Sequence, residues 1–512
     1  MTKIVIEPVT RIEGHLRIEV ITENNEIKEA RSSGTLFRGL EIILQGRDPG
    51  DAPIYTQRIC GLCTASHSMA SALTLDSAFG IADEIPDNGR ILRNLILGAA
   101  HIADHILHFY HLAILDYVDM TRIANYDGGD STLNSIKRLA EADELRLFTA
   151  GYEGDYRLSD KANMELVAHY IKALEMRRKA QEMLSIFGGK MPHNMAIVPG
   201  GVTATPTTDK MLSFLWRLNE LRDFINNVYI PDILTIAEAY SDYFKIGAGC
   251  GNLLSYGNFE LDDEKRFLNS GTVSTELKLS PLDIDKIWEQ VKYSWYASST
   301  TGRQPRQAET KPEPNKKGAY SWIKAPRYDG KAYEAGPLAR IMVNYANGNQ
   351  VVKNLVDSAL AQFKLSPKVM FSVFGRHIAR ALYTKLVADA MPAWLLQLRP
   401  EEPAYIKSTV PEQATGMGLI EAARGALGHW IEIKDHKIAN YQCITPSTWN
   451  LSPKDDRGQP GPMEQALIGT KMKDENTPLE IGRIIRSFDP CLACAVHLIT
   501  PKGGNIDTLH IT

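Results

Sequence analysis

Two cysteine pairs carry most of the reactive chemistry in this chain. Cys60 and Cys63 stand in Arg58-Ile-Cys-Gly-Leu-Cys-Thr-Ala-Ser-His67, and Cys491 and Cys494 in Asp489-Pro-Cys-Leu-Ala-Cys-Ala-Val-His497. Four of six cysteines thus belong to two CxxC units, each followed by a histidine. Two residues between the cysteines let one turn aim both sulfurs at one ion, and Gly61 frees the first turn of a side chain. A single CxxC is also compatible with a redox disulfide, half a zinc site or two packed thiols. Two pairs at opposite ends of 512 residues argue differently. A structural zinc knuckle gathers its ligands locally, because it organises a unit too small for its own core. A chain of this length builds a core without metal, so ligands drawn from both ends point to a functional site for a soft metal.

With 44% hydrophobic and 23% charged residues, the composition is that of an ordinary globular protein. A formal net charge of -4 and scattered Lys and Arg leave no basic stripe, which argues against nucleic acid as a partner. Six cysteines are too few for a disulfide framework, and their clustering suits folding where thiols stay reduced, in the cytoplasm. The first ten residues lack a basic and then apolar signal, and no apolar run reaches the length of a membrane span. Any membrane or periplasmic address is therefore expected from a partner.

The elements that must position the cysteines are legible in outline. Alternation from Lys3 to Ala30, broken at Asn24-Asn25, reads as a small β-hairpin. After the first CxxC the pattern turns helical, with Asp87 as the expected N-cap of a long helix carrying Ile91, Leu92, Leu95, Ile96, Ile102, Ile106 and Leu107. Further helices are expected over 161–187, 208–239, 281–296, 338–349, 351–364 and 368–390. The stretch 298–333, rich in Pro, Lys and Arg, is expected as a surface excursion. Short β-like runs return from Trp430 to Ile444, so the two ends are expected to pack together. The fold class that follows is mainly α (α+β), a large multi-helix bundle with small β elements towards both termini. Along one domain we expect a β-rich region at 1–50, the first CxxC and helical core at 51–297, the polar stretch at 298–335 and the C-terminal metal-binding region at 336–497.

These motifs, with Arg11-Ile-Glu-Gly14, Phe37-Arg-Gly-Leu-Glu41, His108-Phe-Tyr-His111, Ala423-Arg-Gly-Ala-Leu-Gly-His-Trp430 and Tyr441-Gln-Cys-Ile-Thr-Pro-Ser-Thr-Trp449, resemble the large subunit of nickel-iron hydrogenases over the whole chain. The resemblance implies heterolytic H2 cleavage at nickel held by four thiolates, two of them bridging to an iron that carries cyanide and carbon monoxide. By motif position Cys60 and Cys491 would be terminal nickel ligands, and Cys63 and Cys494 bridging ones. Glu13 would take the proton from the Cys491 sulfur, a role that a carboxylate in a partly dry site can fill. Read without the resemblance, Glu13 is an ordinary exposed hairpin residue. Arg424, with Asp104 and Asp489, would form a polar canopy over the metals, the alternative being a structural ion pair. His67 would donate toward a bridging sulfur, the alternative being a satisfied core histidine. The resemblance also implies a magnesium site built from Glu41, the backbone carbonyl of Cys443 and His497.

His101, His105, His108 and His111 recur on one helix face, but their neighbours suit packing and hydrogen bonding better than an independent metal site. Cys250 and Cys443 read as unreactive buried thiols. With four of six cysteines committed, an iron-sulfur cluster cannot also be held here, so electrons must leave through an iron-sulfur small subunit. Residues 498–512 match the peptide that a maturation endopeptidase removes in catalytic relatives. The resemblance favours the membrane-associated uptake group, exported with its small subunit to the periplasmic side and delivering electrons to a membrane cytochrome or other acceptor. A cytoplasmic location is the alternative. A non-catalytic H2 sensor and a metal-stabilised respiratory-complex subunit are the competing functions. Cysteine at position 491 excludes a selenocysteine ligand there.

Overall fold

The first CxxC ends where a helix begins. The computed structural model describes residues 1–142, 144, 154–261 and 265–495. In it α1 (Thr64–Phe79) starts directly after Cys63, is buried along most of its length and ends at Gly80, whose left-handed φ of 71° lets its N–H close back on Asp76. Small residues make such burial possible, since Ala65, Ser66, Ser68, Ala70, Ser71 and Ala72 leave room for close neighbours. α2 (Asp87–Leu107) crosses the core and is buried on nearly every side. Asp87 is its first helical residue rather than its cap: Pro86, with fixed φ and extended ψ, makes the entry, and Asp87 pairs with Arg90 at 3.2 Å. α2 runs on into a π-helical turn, His108–Ala113.

Around α2 pack α3 (Asp160–Gly188) and, further along the chain, α8 (Val373–Leu395). Between them in sequence lie α4 (Thr208–Phe224), α5 (Ile230–Ala239), α6 (Pro337–Ala346) and α7 (Gln350–Ala361). The helix expected over 208–239 is interrupted by a π-helical turn at Ile225–Tyr229. α8 starts later than expected because Pro367 opens a separate 3-10 turn, and Ser372 then caps the helix through the Gly375 N–H at 3.1 Å.

Strands frame both ends. β1 (Thr2–Ile6), β2 (Leu16–Glu23) and β3 (Glu26–Gly34) form an antiparallel sheet, and Asn24 and Asn25 turn the expected hairpin with φ of 51° and 59°. β4 (Gln413–Ala422), β5 (Gly425–Lys434) and β6 (Lys437–Ile444) form a second antiparallel sheet that lies on α1. Short helices α9 (Pro446–Asn450), α10 (Leu479–Ser487) and α11 (Leu492–Ala495) carry the chain back to the first CxxC. The architecture is mainly helical with several small sheets.

Two further expectations fail. Residues 281–296 form a 3-10 turn and the strand Ile287–Gln290, antiparallel to Ala325–Tyr328, because Ile287, Glu289 and Val291 are buried on a period of two. The stretch 298–333 is not confined to the surface: Thr310, Lys324 and Arg327 are buried, each with a polar partner. The two ends do meet. The Glu13 N–H donates to the Pro490 carbonyl (3.3 Å) and the Leu492 N–H to the Glu13 carbonyl (2.9 Å), a short parallel bridge. No helix among the described residues is long and apolar enough to cross a membrane.

Candidate metal centre

Cys60 leaves a 3-10 turn in extended conformation and Cys63 forms the N-cap of α1. From the other end, Pro490 and the left-handed Asp489 (φ 55°) turn the chain into the centre, and the Cys491 N–H donates to Ser447 Oγ at 2.9 Å. Arg38 ties the two loops together, donating to the carbonyls of Arg58 (3.1 Å) and Ile59 on one side and of Ala493 (2.7 Å) on the other.

The result is a compact sulfur quartet. Cys60 and Cys491 Sγ lie 3.3 Å apart, Cys63 and Cys494 3.0 Å, and Cys491 and Cys494 2.8 Å. All four sulfurs fall within 4.8 Å of one another, all are buried, and none is in a disulfide. Hydrogen bonds from the other three thiols hold Cys60 well below the ordinary thiol range. Burial, and then the neighbouring sulfurs, push Cys491 well above it.

Glu13 comes to the same place. Its Oε2 accepts from Cys491 Sγ at 3.1 Å and from the Ala493 N–H at 2.9 Å. Burial, and then the charge on Cys60, push its carboxyl up, against the lowering effect of those hydrogen bonds. Arg424 Nη2 lies 3.0 Å from Asp489 Oδ1 and its Nη1 3.7 Å from Asp104 Oδ2, with all three side chains buried. No guanidinium nitrogen of Arg424 makes a hydrogen bond of good geometry to a described residue, so its two carboxylate contacts are ion pairs and its buried donors keep hydrogen-bonding capacity. Burial, offset by Arg424, brings the Asp104 carboxyl up to about 7.

His67, lowered to about 4 by burial, is a neutral imidazole. Its Nδ1 meets His429 Nε2 at 3.2 Å, His429 Nδ1 meets the Tyr441 hydroxyl at 2.9 Å, and Tyr441 donates to Ser71 Oγ at 3.0 Å. No motif reading singled out His429, Tyr441 or Arg38 for a role, although each lies inside a motif quoted above.

Glu41 occupies a separate buried polar cluster. Its Oε1 accepts from the Cys443 N–H at 2.9 Å, its Oε2 from the Thr310 hydroxyl, and Lys324 Nζ stands 3.7 Å away. Cys443 thus meets Glu41 through its N–H. His497 and residues 498–512 lie outside the described residues. The helix histidines each have a partner of their own: His101 the Tyr383 hydroxyl, His105 Thr384 and the Ala423 carbonyl, His108 the Arg486 carbonyl and His111 the Tyr170 carbonyl. Cys443 is buried and Cys250 half-buried, and burial pushes both thiols up.

A buried set of four soft thiols, flanked by a carboxylate and a fixed guanidinium inside a mainly helical fold, defines a thiolate-metal enzyme. The chain belongs to the nickel-dependent hydrogenase family, whose family model matches residues 38–497, and a HoxL-like model matches residues 3–33. It is 42% identical to the periplasmic NiFeSe hydrogenase large subunit of Desulfomicrobium baculatum, over 99% of this chain and 97% of that one. It is 37% identical to the uptake hydrogenase large subunit of Rhizobium leguminosarum bv. viciae, again over 99% and 97%. The reduced Ni-Fe-Se hydrogenase of D. vulgaris Hildenborough superposes with a TM-score of 0.87 at 43% identity, over 97% of this chain and 100% of that one. Two of these names carry selenium, whereas this chain has cysteine at all four positions of the quartet.

Proposed function

We propose that this chain is the catalytic large subunit of an H2-oxidising enzyme, with nickel held by Cys60, Cys63, Cys491 and Cys494 and iron sharing Cys63 and Cys494. The observation that carries this reading is the quartet of free, buried sulfurs drawn from both ends of the chain. The donor set fits the metals, since thiolates are the ligands that soft, redox-active ions prefer. Nickel and iron, the latter with cyanide and carbon monoxide, supply polarisation of H2 and accept its electrons.

The protein's own part is proton handling and enclosure. Glu13 is hydrogen-bonded to the Cys491 sulfur and is raised toward a useful range, so it can take a proton at that atom and pass it outward. Arg424 holds a fixed positive charge beside the quartet, clamped by Asp489 and Asp104. His67 is oriented at Nδ1 by His429 and is our candidate for the imidazole beside a bridging sulfur.

Glu41, Cys443 and His497 are our candidates for a magnesium site, which would share the buried cluster with Lys324. The two remaining cysteines, Cys250 and Cys443, cannot hold a cluster by themselves, which supports an iron-sulfur small subunit as electron acceptor. Removal of residues 498–512 by an endopeptidase, and a periplasmic or membrane-side location with a membrane cytochrome, follow from the same reading. A sensor role has no observation that favours it.

Nickel, iron and intact mass, measured on this chain purified with its small subunit, test the reading. About one nickel per chain, a mass lacking residues 498–512 and H2-dependent dye reduction are expected. Zinc alone in a full-length chain with no such activity would overturn it.

A further inference from the structure

Glu13 belongs to no regular strand, so its carboxylate is only as well placed as the segment Thr10–Gly14 that carries it. One hold on that segment is the bridge to Cys491 described above. A second lies upstream and centres on Asp116, in the turn that follows the π-helical stretch. The Asp116 carboxylate accepts from Arg11 and, at 2.7 and 2.9 Å, from Arg486 Nη1. Arg11 Nη1 also donates to the Leu112 carbonyl at 3.1 Å, and Arg486 Nε to the Thr10 carbonyl at 3.2 Å. Arg483 fixes the Asp116 backbone, donating to its carbonyl from Nε (3.2 Å) and Nη2 (2.5 Å). Although burial pushes it up, the guanidinium groups of Arg11 and Arg486 hold the Asp116 carboxyl at about 2. One buried carboxylate therefore joins the residue two before Glu13 to α10, five residues before Cys491.

We propose that Asp116 is a positioning residue, which sets the spacing between the Glu13 carboxylate and the Cys491 sulfur by fixing Arg11 and Arg486. The proposal rests on the reading of Glu13 as proton acceptor. The physical reason is leverage: Glu13 and Cys491 approach from opposite ends of the chain, and Asp116 is where the segments preceding them are bolted together. Proton transfer falls steeply with misplacement, and an error of about 1 Å costs on the order of a hundredfold. A buried ion pair that served stability alone would leave turnover per bound metal untouched.

The test uses the complex with the small subunit and compares Asp116→Asn, Asp116→Glu and Arg11→Lys, the last of which keeps the Asp116–Arg486 pair and so protects the fold. Nickel per chain, H2-oxidation kcat per nickel, KM for H2 and the solvent deuterium isotope effect are measured. Arg11→Lys and Asp116→Asn are expected to keep nickel and KM, to lose ~10–100-fold in kcat per nickel and to show a larger isotope effect, while Asp116→Glu recovers part of the rate. Unchanged kcat per nickel and isotope effect in Arg11→Lys, with Glu13→Gln slow, would overturn this proposal alone. A Glu13→Gln enzyme with normal turnover would overturn the relay and this proposal together.

Discussion

Glu13 Oε2 receives both a sulfur and a backbone N–H, and the backbone donor survives any side-chain substitution. Glu13→Gln preserves the shape and an acceptor oxygen but removes the ability to take a proton. We expect it to bind nickel normally and to oxidise H2 about 10²–10⁴-fold more slowly, the usual worth of a positioned acid-base group; kcat against nickel content checks this. Gly14 is the opposite kind of residue, with a purely steric role. Its φ is 81°, and a Cβ there would lie 2.7 Å from Leu492 Cβ and 2.9 Å from the Ala493 nitrogen. Gly14→Ala should therefore prevent the C-terminal segment from seating, and we expect nickel per chain to fall sharply while the helical circular dichroism is retained. The cysteines, Glu13, Glu41 and Arg424 were legible because each lies in a motif. Asp116 and Lys324 were not, because each acts through partners far away in sequence, and neither type nor spacing reveals that.

Among the elements, α1 and β4 approach so closely that glycine is required between them. A Cβ at Gly418 would sit 2.3 Å from the Ala70 carbonyl oxygen, and one at Gly416 would sit 2.2 Å from that of Thr74. We expect Gly418→Ala to displace α1, which carries His67, and to lower stability by about 1–3 kcal/mol, as overpacking does; denaturant unfolding measures it. The π-helical turn after α2 has a different consequence. It lets the Tyr110 hydroxyl donate to Asp232 Oδ2 at 2.6 Å, while His169 Nδ1 on α3 meets both oxygens of that carboxylate at 3.0 Å. Burial pushes the Asp232 carboxyl up, whereas its hydrogen bonds to Tyr110 and His169 favour the carboxylate, and this geometry is what an ionised carboxylate accepts. The bond to Asp232 raises His169 above its ordinary value. The stability it contributes is thus fully present below about pH 6.5 and lost as pH rises through the raised value. The difference in Tm between wild type and His169→Gln should be largest in mild acid, where His169 is charged and Asp232 still ionised, and shrink above neutrality. Helices were legible from their 3.6-residue period, but 281–296 was misread because its apolar residues satisfy a period of two as well as a helical one. The cap of α2 and the start of α8 differ from expectation because Pro86 and Ser372 decide them locally.

For the whole molecule, the meeting of the ends was legible because two CxxC units imply one site, whereas the burial of 298–333 was not. A polar stretch looks solvated until its partners are known, and Lys324 finds Glu289 and Gln442 only in the folded protein. The same topology makes a further prediction about metal. The contacts that close the two cysteine loops on each other include Glu13 to Pro490, Leu492 to Glu13, Ala493 to the Glu13 carboxylate, and Arg38 across both loops. A metal bound by four sulfurs from both segments adds its binding free energy to their closure, about 2.7 kcal/mol at a hundredfold excess over Kd, and adds nothing to helices that already bury their own apolar faces. Hydrogen exchange of the nickel-starved chain should therefore show the amides of Glu13, Leu492 and Ala493 opening together, and nickel loading should slow all three by ~100-fold, the same free energy expressed as a rate. Amides in the middle of α2, such as that of Leu95, should exchange at the same rate in both forms. Equal protection of Glu13 and Leu492 with and without nickel would mean that the protein closes its ends by itself, and the quartet would then be a preformed socket rather than a clasp completed by its metal.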